Sequence, residues 1–239
     1  MPRPALLPAL AALLLAVTGC TSATETDTTT DPKPAAPRTA SPSPSSTSGA
    51  RPLNDAIRDL KTAPEYTGAY DRDAFKHWNK GLNPGDGCDT REELLLAEAV
   101  KEPTKGDGCK LTGGEWLSYY DEVTVTDAGG LDVDHMVPLE EAWSSGAHTW
   151  TAERREAYAN DLTAERSLVA VTAKTNRSKG RRDPAEWLPP ADSALCTYLE
   201  DWTATKLRWG LTADTKERDA LAQHAKDCPD AAVEVQPAS

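Results

Sequence analysis

The chain has 239 residues, with 38 Asp and Glu against 26 Lys and Arg, a formal net charge of −12 and a pI near 4.8. A protein that coats nucleic acid without regard to sequence draws its affinity from Lys and Arg that displace counterions from phosphates, and its composition is basic. This chain can therefore hold phosphate only at a local site, and its length, less a first fifty residues unlike the rest, leaves room for one domain.

Arg3 is followed by the apolar run ALLPALAALLLAVTG, which ends at Cys20. The run is too short to cross a hydrocarbon core of about 30 Å and has the size of a signal-peptide core. Val17-Thr18-Gly19-Cys20 resembles the lipobox of bacterial lipoproteins, which implies a signal peptide over 1–19 and a lipid anchor on Cys20. A generic signal peptide with a free cysteine is the alternative, and either reading exports the chain.

Residues 21–50 hold 8 Thr, 6 Ser, 5 Pro and 5 Ala, with no aromatic residue and no Leu. Such a segment buries too little apolar surface to offset the entropy of ordering, so 20–50 is expected to be a disordered tether. All 14 aromatic residues fall between Tyr66 and Trp209, which places the folded domain at 51–228 and leaves a flexible acidic tail at 229–239. Within the domain, Cys88, Cys109, Cys196 and Cys228 form an even set in an exported chain and read as two disulfides. Pairing Cys88 with Cys109 and Cys196 with Cys228 joins the nearest partners. No CxxC argues for zinc instead.

Along the domain, Thr90 and Glu93 have capping-box spacing before ELLLAEAV, predicting a helix over about 91–100. The Gly-rich, β-branched stretch that follows reads as short strands and turns. LDVDHMVPL is a strand that Pro138 ends, EEAWSSGA and TAERREAYANDL are helical, and SLVAVT is a second short strand. Leu195, Tyr198, Leu199, Trp202 and Trp209 recur at helical spacing before Gly210, and a last helix starts at Asp214. The expected class is α+β, a mostly helical single domain around a small antiparallel hairpin. With one Phe and two Met, most of the seven Trp are expected to supply core bulk rather than stacking platforms for bases.

Of four histidines, His77, His148 and His224 sit in settings that suit structural or solvated roles. His135 follows Asp134 at the end of an apolar strand, with Asp132 nearby. Strand neighbours point to opposite faces, so Asp134 and His135 are expected to converge where Pro138 breaks the pleat.

LDVDHMVPLEEAWSSGAHTW, YANDL and SLVAVTAKTNRSKGRRDPAEWLPP, together with CDTRE at 88–92, resemble secreted bacterial HNH endonuclease-family proteins over about residues 65–228. The resemblance implies a ββα-metal nuclease core with His135 as general base and Asp134 and Asn176 as ligands of a divalent cation, Mg²⁺ first and Mn²⁺ second. Asn176 stands where the name-giving motif ends in His, and an amide oxygen suits a hard cation. The middle Asn has no assigned equivalent: spacing points to Ser167, and Asn160 lies earlier. A neutral imidazole can take a proton from water at neutral pH.

Lys174, Arg177, Lys179, Arg181 and Arg182 have no acidic residue among them and are expected to contact phosphate beside Asn176. Arg91, a cation in the first turn of a helix, is read as a phosphate clamp, and Asp183 as a group that reaches the metal through water. The substrate is nucleic acid, DNA ahead of RNA, the expected state a monomer, and the location extracytoplasmic or lipid-anchored at the membrane. A lipid-anchored binding module with the nuclease fold but no turnover is the alternative from another class. HExxH, GxSxG and P-loop signatures are absent. The net charge hides a dipole: Glu115 to Glu141 holds eight acidic residues and no basic one, and Arg166 to Arg182 holds six basic and no acidic.

Overall fold

Helix-forming and strand-forming stretches alternate along the chain, and the computed structural model, which describes residues 49–238, resolves them into helices and four small antiparallel sheets, an α+β architecture. The expected signal peptide, the Cys20 lipid site and the tether up to residue 48 lie outside the described residues. Among the described residues no helix is long and apolar enough to cross a membrane.

The chain opens with strand β1 (Arg51–Pro52) and helix α1 (Leu53–Arg58). Leu53, Ala56, Ile57 and Leu60 repeat at i, i+3, i+4 and i+7 and are all buried, a helical stripe that the sequence reading passed over. Helix α2 covers Thr90–Ala97. Its capping box is made by Asp89 and Glu92, one residue earlier than the predicted Thr90 and Glu93, because Thr90 is buried and bonds to Asn79 and Asn160 instead. Two short hairpins follow: β2 (Thr104–Lys105) with β3 (Leu111–Thr112), and β4 (Trp116–Ser118) with β5 (Val123–Val125).

Strand β6 (Leu131–His135) pairs in antiparallel register with β7 (Leu168–Thr172), from Leu131 opposite Thr172 to His135 opposite Leu168. Helices α3 (Leu139–Ser144) and α4 (Ala152–Ala159) lie between them in sequence, and α5 (Ala173–Lys179) follows β7 directly. Each face of the β6–β7 ribbon packs into a different cluster. Leu131, Val133, Leu168 and Ala170 join Leu94, Leu95 and Trp116, whereas Val169 and Val171 join the main core built on α1 and α6 (Leu195–Trp209). Helix α6 ends at Gly210, whose φ of 68° makes the left-handed cap, and α7 (Thr215–His224) begins at Asp214. Trp116, Trp202 and Trp209 are buried, and Trp143, Trp150 and Trp187 pack against the main core.

Two disulfides fasten the ends of this frame. Cys88 is bonded to Cys109, with Cα atoms 4.9 Å apart, and Cys196 to Cys228, at 5.5 Å. By loop-closure entropy, each is worth about 3–4 kcal/mol.

The reading of a flexible tail at 229–239 is corrected over its described part. Ala232–Val233 form strand β8, which pairs with β1; Val233 is fully buried, and the Ala238 amide donates to the Arg208 carbonyl at 3.0 Å. The physical reason is the alternation Val233-Glu234-Val235, whose apolar side chains pack against the main core while Glu234 stays exposed.

The free edge of β7 is closed by side chains. The Ala170 amide donates to Glu98 Oε2 at 2.7 Å, and the Thr172 amide to Ser118 Oγ at 3.0 Å. Burial pushes the Glu98 carboxyl up to about 7 against the lowering effect of that amide. Between about 4.5 and 7 the folded state therefore holds more protons than the unfolded chain, so this stabilisation is full below 4.5 and is lost as pH rises through 7. Glu98→Gln keeps an acceptor for Ala170 without the charge. It should raise stability by about 1–2 kcal/mol at pH 8 and leave it unchanged at pH 4, measured by urea unfolding.

Candidate active site

Alternation along β6 turns Asp132 and Asp134 toward α5, where Asn176 and Lys179, one turn apart, meet them. Asn176 Nδ2 donates to Asp132 Oδ2 at 3.2 Å, and Lys179 Nζ bonds to Asp134 Oδ2. The start of α5 is fixed by Asp121 Oδ2, which accepts from the Thr172 and Thr175 hydroxyls at 2.5 Å each. Thr172 also caps the Thr175 amide, so the helix cannot shift along the strand without breaking both ends of this set.

Lys179 is wholly buried, which corrects its reading as a phosphate contact. Beyond Asp134, its ammonium donates to the carbonyls of Met136 at 2.8 Å and His135 at 3.2 Å and to the Tyr120 hydroxyl at 3.2 Å, and it lies over the rings of Tyr120, Tyr198 and Trp202. Tyr120 in turn donates to Asp134 Oδ2 at 2.7 Å. Burial pushes the Asp134 carboxyl up and the Lys179 ammonium down, and each ion draws the other back.

His135 projects from the opposite face of β6. Its Nε2 lies 3.0 Å from the Ala159 carbonyl. A carbonyl only accepts, so Nε2 carries the proton and Nδ1 keeps its lone pair. The ring stacks on Trp78 at 5.6 Å between centroids. Burial drives its pKa down to about 3, helped by the nearby charges of Arg72 and Lys179, so the imidazole is neutral at ordinary pH. The expected break in the pleat does not occur: Met136 still donates to Ser167 across the ribbon. Asp134 and His135 meet instead because a cleft of about 350 Å³ opens at the end of the strand, lined by both residues together with Asn176, Arg177 and Arg181.

The other sequence-predicted residues divide. Arg177 and Arg181 are exposed in the cleft, 3.9 Å from Asp132 and 3.3 Å from Glu140 respectively. Lys174 and Arg182 are exposed but do not line it. Arg91 is not free to clamp phosphate, because its guanidinium donates to the carbonyls of Ala128 at 3.0 Å and Leu131 at 3.2 Å and so braces the start of β6. Asp183 is buried, accepts from the Ala185 amide at 2.7 Å and lines a neighbouring cavity instead. Neither candidate for the middle Asn touches the His135 ring. Ser167 bonds to Asp161, while Asn160 ends α4 beside Ala159 and ties that turn to Lys76 and Asn79. Tyr120, Trp78 and Arg72 were missed, since nothing in their local sequence marks them and only the fold brings them to Asp134 and His135.

Asp134 Oδ1 and the Asn176 amide oxygen have no hydrogen-bond partner among the described residues. These are hard oxygen donors, and two of them fit a cation such as Mg²⁺ that keeps several waters. Among the described residues no three His, Cys, Asp or Glu side chains converge into a closed cage.

Residues 88–224 match the family described as GmrSD restriction endonucleases, C-terminal domain. A fungal protein of Arthroderma benhamiae, described as an uncharacterized secreted protein, is 39% identical over 159 residues, which is 66% of this chain and 76% of its own. No solved structure matches the chain. The buried pair at the base of the site yields a direct test. Lys179→Met leaves the Asp134 carboxylate without its counter-ion and should cost about 3–5 kcal/mol in urea unfolding, and adding Asp134→Asn to that chain should recover a large part of the loss.

Proposed function

The chain belongs to the family of GmrSD restriction endonuclease C-terminal domains, an HNH-type nuclease family, and from that premise we propose that it is a metal-dependent endonuclease that hydrolyses phosphodiester bonds, of DNA ahead of RNA. The observation that carries the reading is that a neutral His135, whose Nδ1 has no hydrogen-bond partner among the described residues, lines the same cleft as Asp134 and Asn176. Attack on phosphorus needs a base for the water, and His135 Nδ1 takes that proton while the Nε2–H to Ala159 holds the ring and its tautomer. The antiparallel β6–β7 ribbon followed directly by α5 supports a ββα-metal reading. Asp134 and Asn176 would hold a divalent cation, Mg²⁺ or Mn²⁺, which when bound neutralises charge on the phosphate and on the leaving 3′ oxygen. Lys179 and Tyr120 keep Asp134 aimed, and Arg177 and Arg181 receive the neighbouring phosphates.

The two disulfides suit an exported protein, and the fungal relative is described as secreted. With the lipobox-like segment, the reading is a monomeric nuclease that works outside the cytoplasm on a lipid anchor at Cys20. Purified protein with Mg²⁺ or Mn²⁺ is expected to nick supercoiled plasmid, to stop in EDTA, and to lose at least about 10³-fold in rate in His135→Ala, with circular dichroism showing that the variant is still folded. Plasmid, single-stranded DNA and RNA digested side by side give the preference. Cleavage that persists in EDTA or in His135→Ala rejects the mechanism, and tight binding with no cleavage under any metal favours the anchored binding module.

A further inference from the structure

The cleft is also lined by Tyr70, Arg72 and Trp78, a segment that precedes the family-matched residues 88–224. This segment is held from outside. Arg155 Nε donates to the Ala74 carbonyl at 3.1 Å, Asn160 Nδ2 to the Lys76 carbonyl at 2.7 Å, and the Asn79 amide to Asn160 Oδ1 at 3.0 Å. Trp78 adopts a φ of +61°, a conformation that is strained for a bulky residue and persists only where its surroundings enforce it. Its ring lies on His135, so the segment is seated against the catalytic strand.

Arg72 is exposed on this segment, and it differs from the other guanidinium groups in the cleft in its ion pairing. Arg177 has Asp132 nearby and Arg181 has Glu140, whereas Arg72 forms no ion pair among the described residues. Among the described residues its guanidinium bonds to His77 Nε2 at 3.4 Å. His77 Nδ1 donates to the Phe75 carbonyl at 2.8 Å, which leaves Nε2 as an acceptor that orients the guanidinium without neutralising it. An oriented guanidinium with no counter-ion at the mouth of a cleft is suited to a two-pronged contact with phosphate.

We infer that Arg72 is a further substrate-binding residue, contacting a phosphate of the nucleic acid from the wall that lies before the family-matched region. The inference rests on the nuclease reading above and extends it to a residue outside that region. Binding of a labelled DNA duplex is measured in EDTA over a series of salt concentrations, for the wild type, Arg72→Ala, Arg72→Lys and, as a control on general charge, the exposed Lys226→Ala. Arg72→Ala is expected to weaken binding about tenfold and to reduce the slope of log Kd against log salt by about one, with Arg72→Lys recovering part of the affinity and Lys226→Ala matching the wild type. With Mg²⁺, the same Arg72→Ala chain is expected to show its loss mainly in KM. An Arg72→Ala protein that binds and titrates with salt as Lys226→Ala does overturns the inference while leaving a His135-dependent nuclease intact. A wild type that neither binds nor cuts nucleic acid overturns the nuclease reading and this inference together.

Discussion

A lysine ammonium taken wholly out of water must be met by a carboxylate and by carbonyls, and at Lys179 those partners are the last two residues of β6 and Met136, which follows them. Desolvating the two ions costs several kcal/mol each, which their attraction offsets only in good geometry. The geometry is supplied from three directions: the hydroxyl of Tyr120, the carbonyls of His135 and Met136, and the Thr172 and Thr175 bonds to Asp121 that set the start of α5. Strand, helix and turn are thus locked to one another by groups that would be destabilising if any one were missing. The side chains proposed to act are neighbours of this lock: Asp134 is part of it, Asn176 sits one turn back on α5, and His135 is the next residue along β6.

A second lysine beside Trp202 repeats the arrangement. Lys206 is fully buried and bonds to Glu141 at 2.8 Å, Glu217 at 2.6 Å, Ser145 Oγ at 2.9 Å and the Thr212 carbonyl at 2.8 Å. The two ammonium groups lie 5.7 and 5.6 Å from the Trp202 ring. The charge dipole of the sequence is accordingly only half a surface property. Of the basic stretch, Lys179 is spent inside the protein and Arg166 is paired with Asp201 at 2.8 Å, and the groups left facing the cleft are Arg177 and Arg181.

The sequence was most legible where one residue type forces one geometry. The Val-rich strands, the Gly210 cap and the pairing of close cysteines could be read because local pattern and chain distance carry them, whereas the Asp134-His135-Asn176 set rests on the family resemblance. Lys179 and Arg91 could not, because both are basic residues beside a phosphate-type motif, and only burial and distant carbonyls separate a brace from a binding group. The stripe from Leu53 to Leu60 was legible and went unread, since it lies next to a low-complexity segment. Trp78 illustrates the reverse case: its stack on His135 depends on a left-handed backbone that no propensity favours for tryptophan.

The pairing of β1 with β8 has a kinetic meaning. Arg51 meets Val233, and the Leu53 amide donates to the Ala231 carbonyl at 2.9 Å, so the first helix of the domain rests on a strand made almost at its end. Contacts of such long sequence separation form late. A chain made N-terminus first must hold α1 and its apolar stripe unclosed until the strand near the end of the domain has been made, so this clasp closes over a core that is already largely assembled.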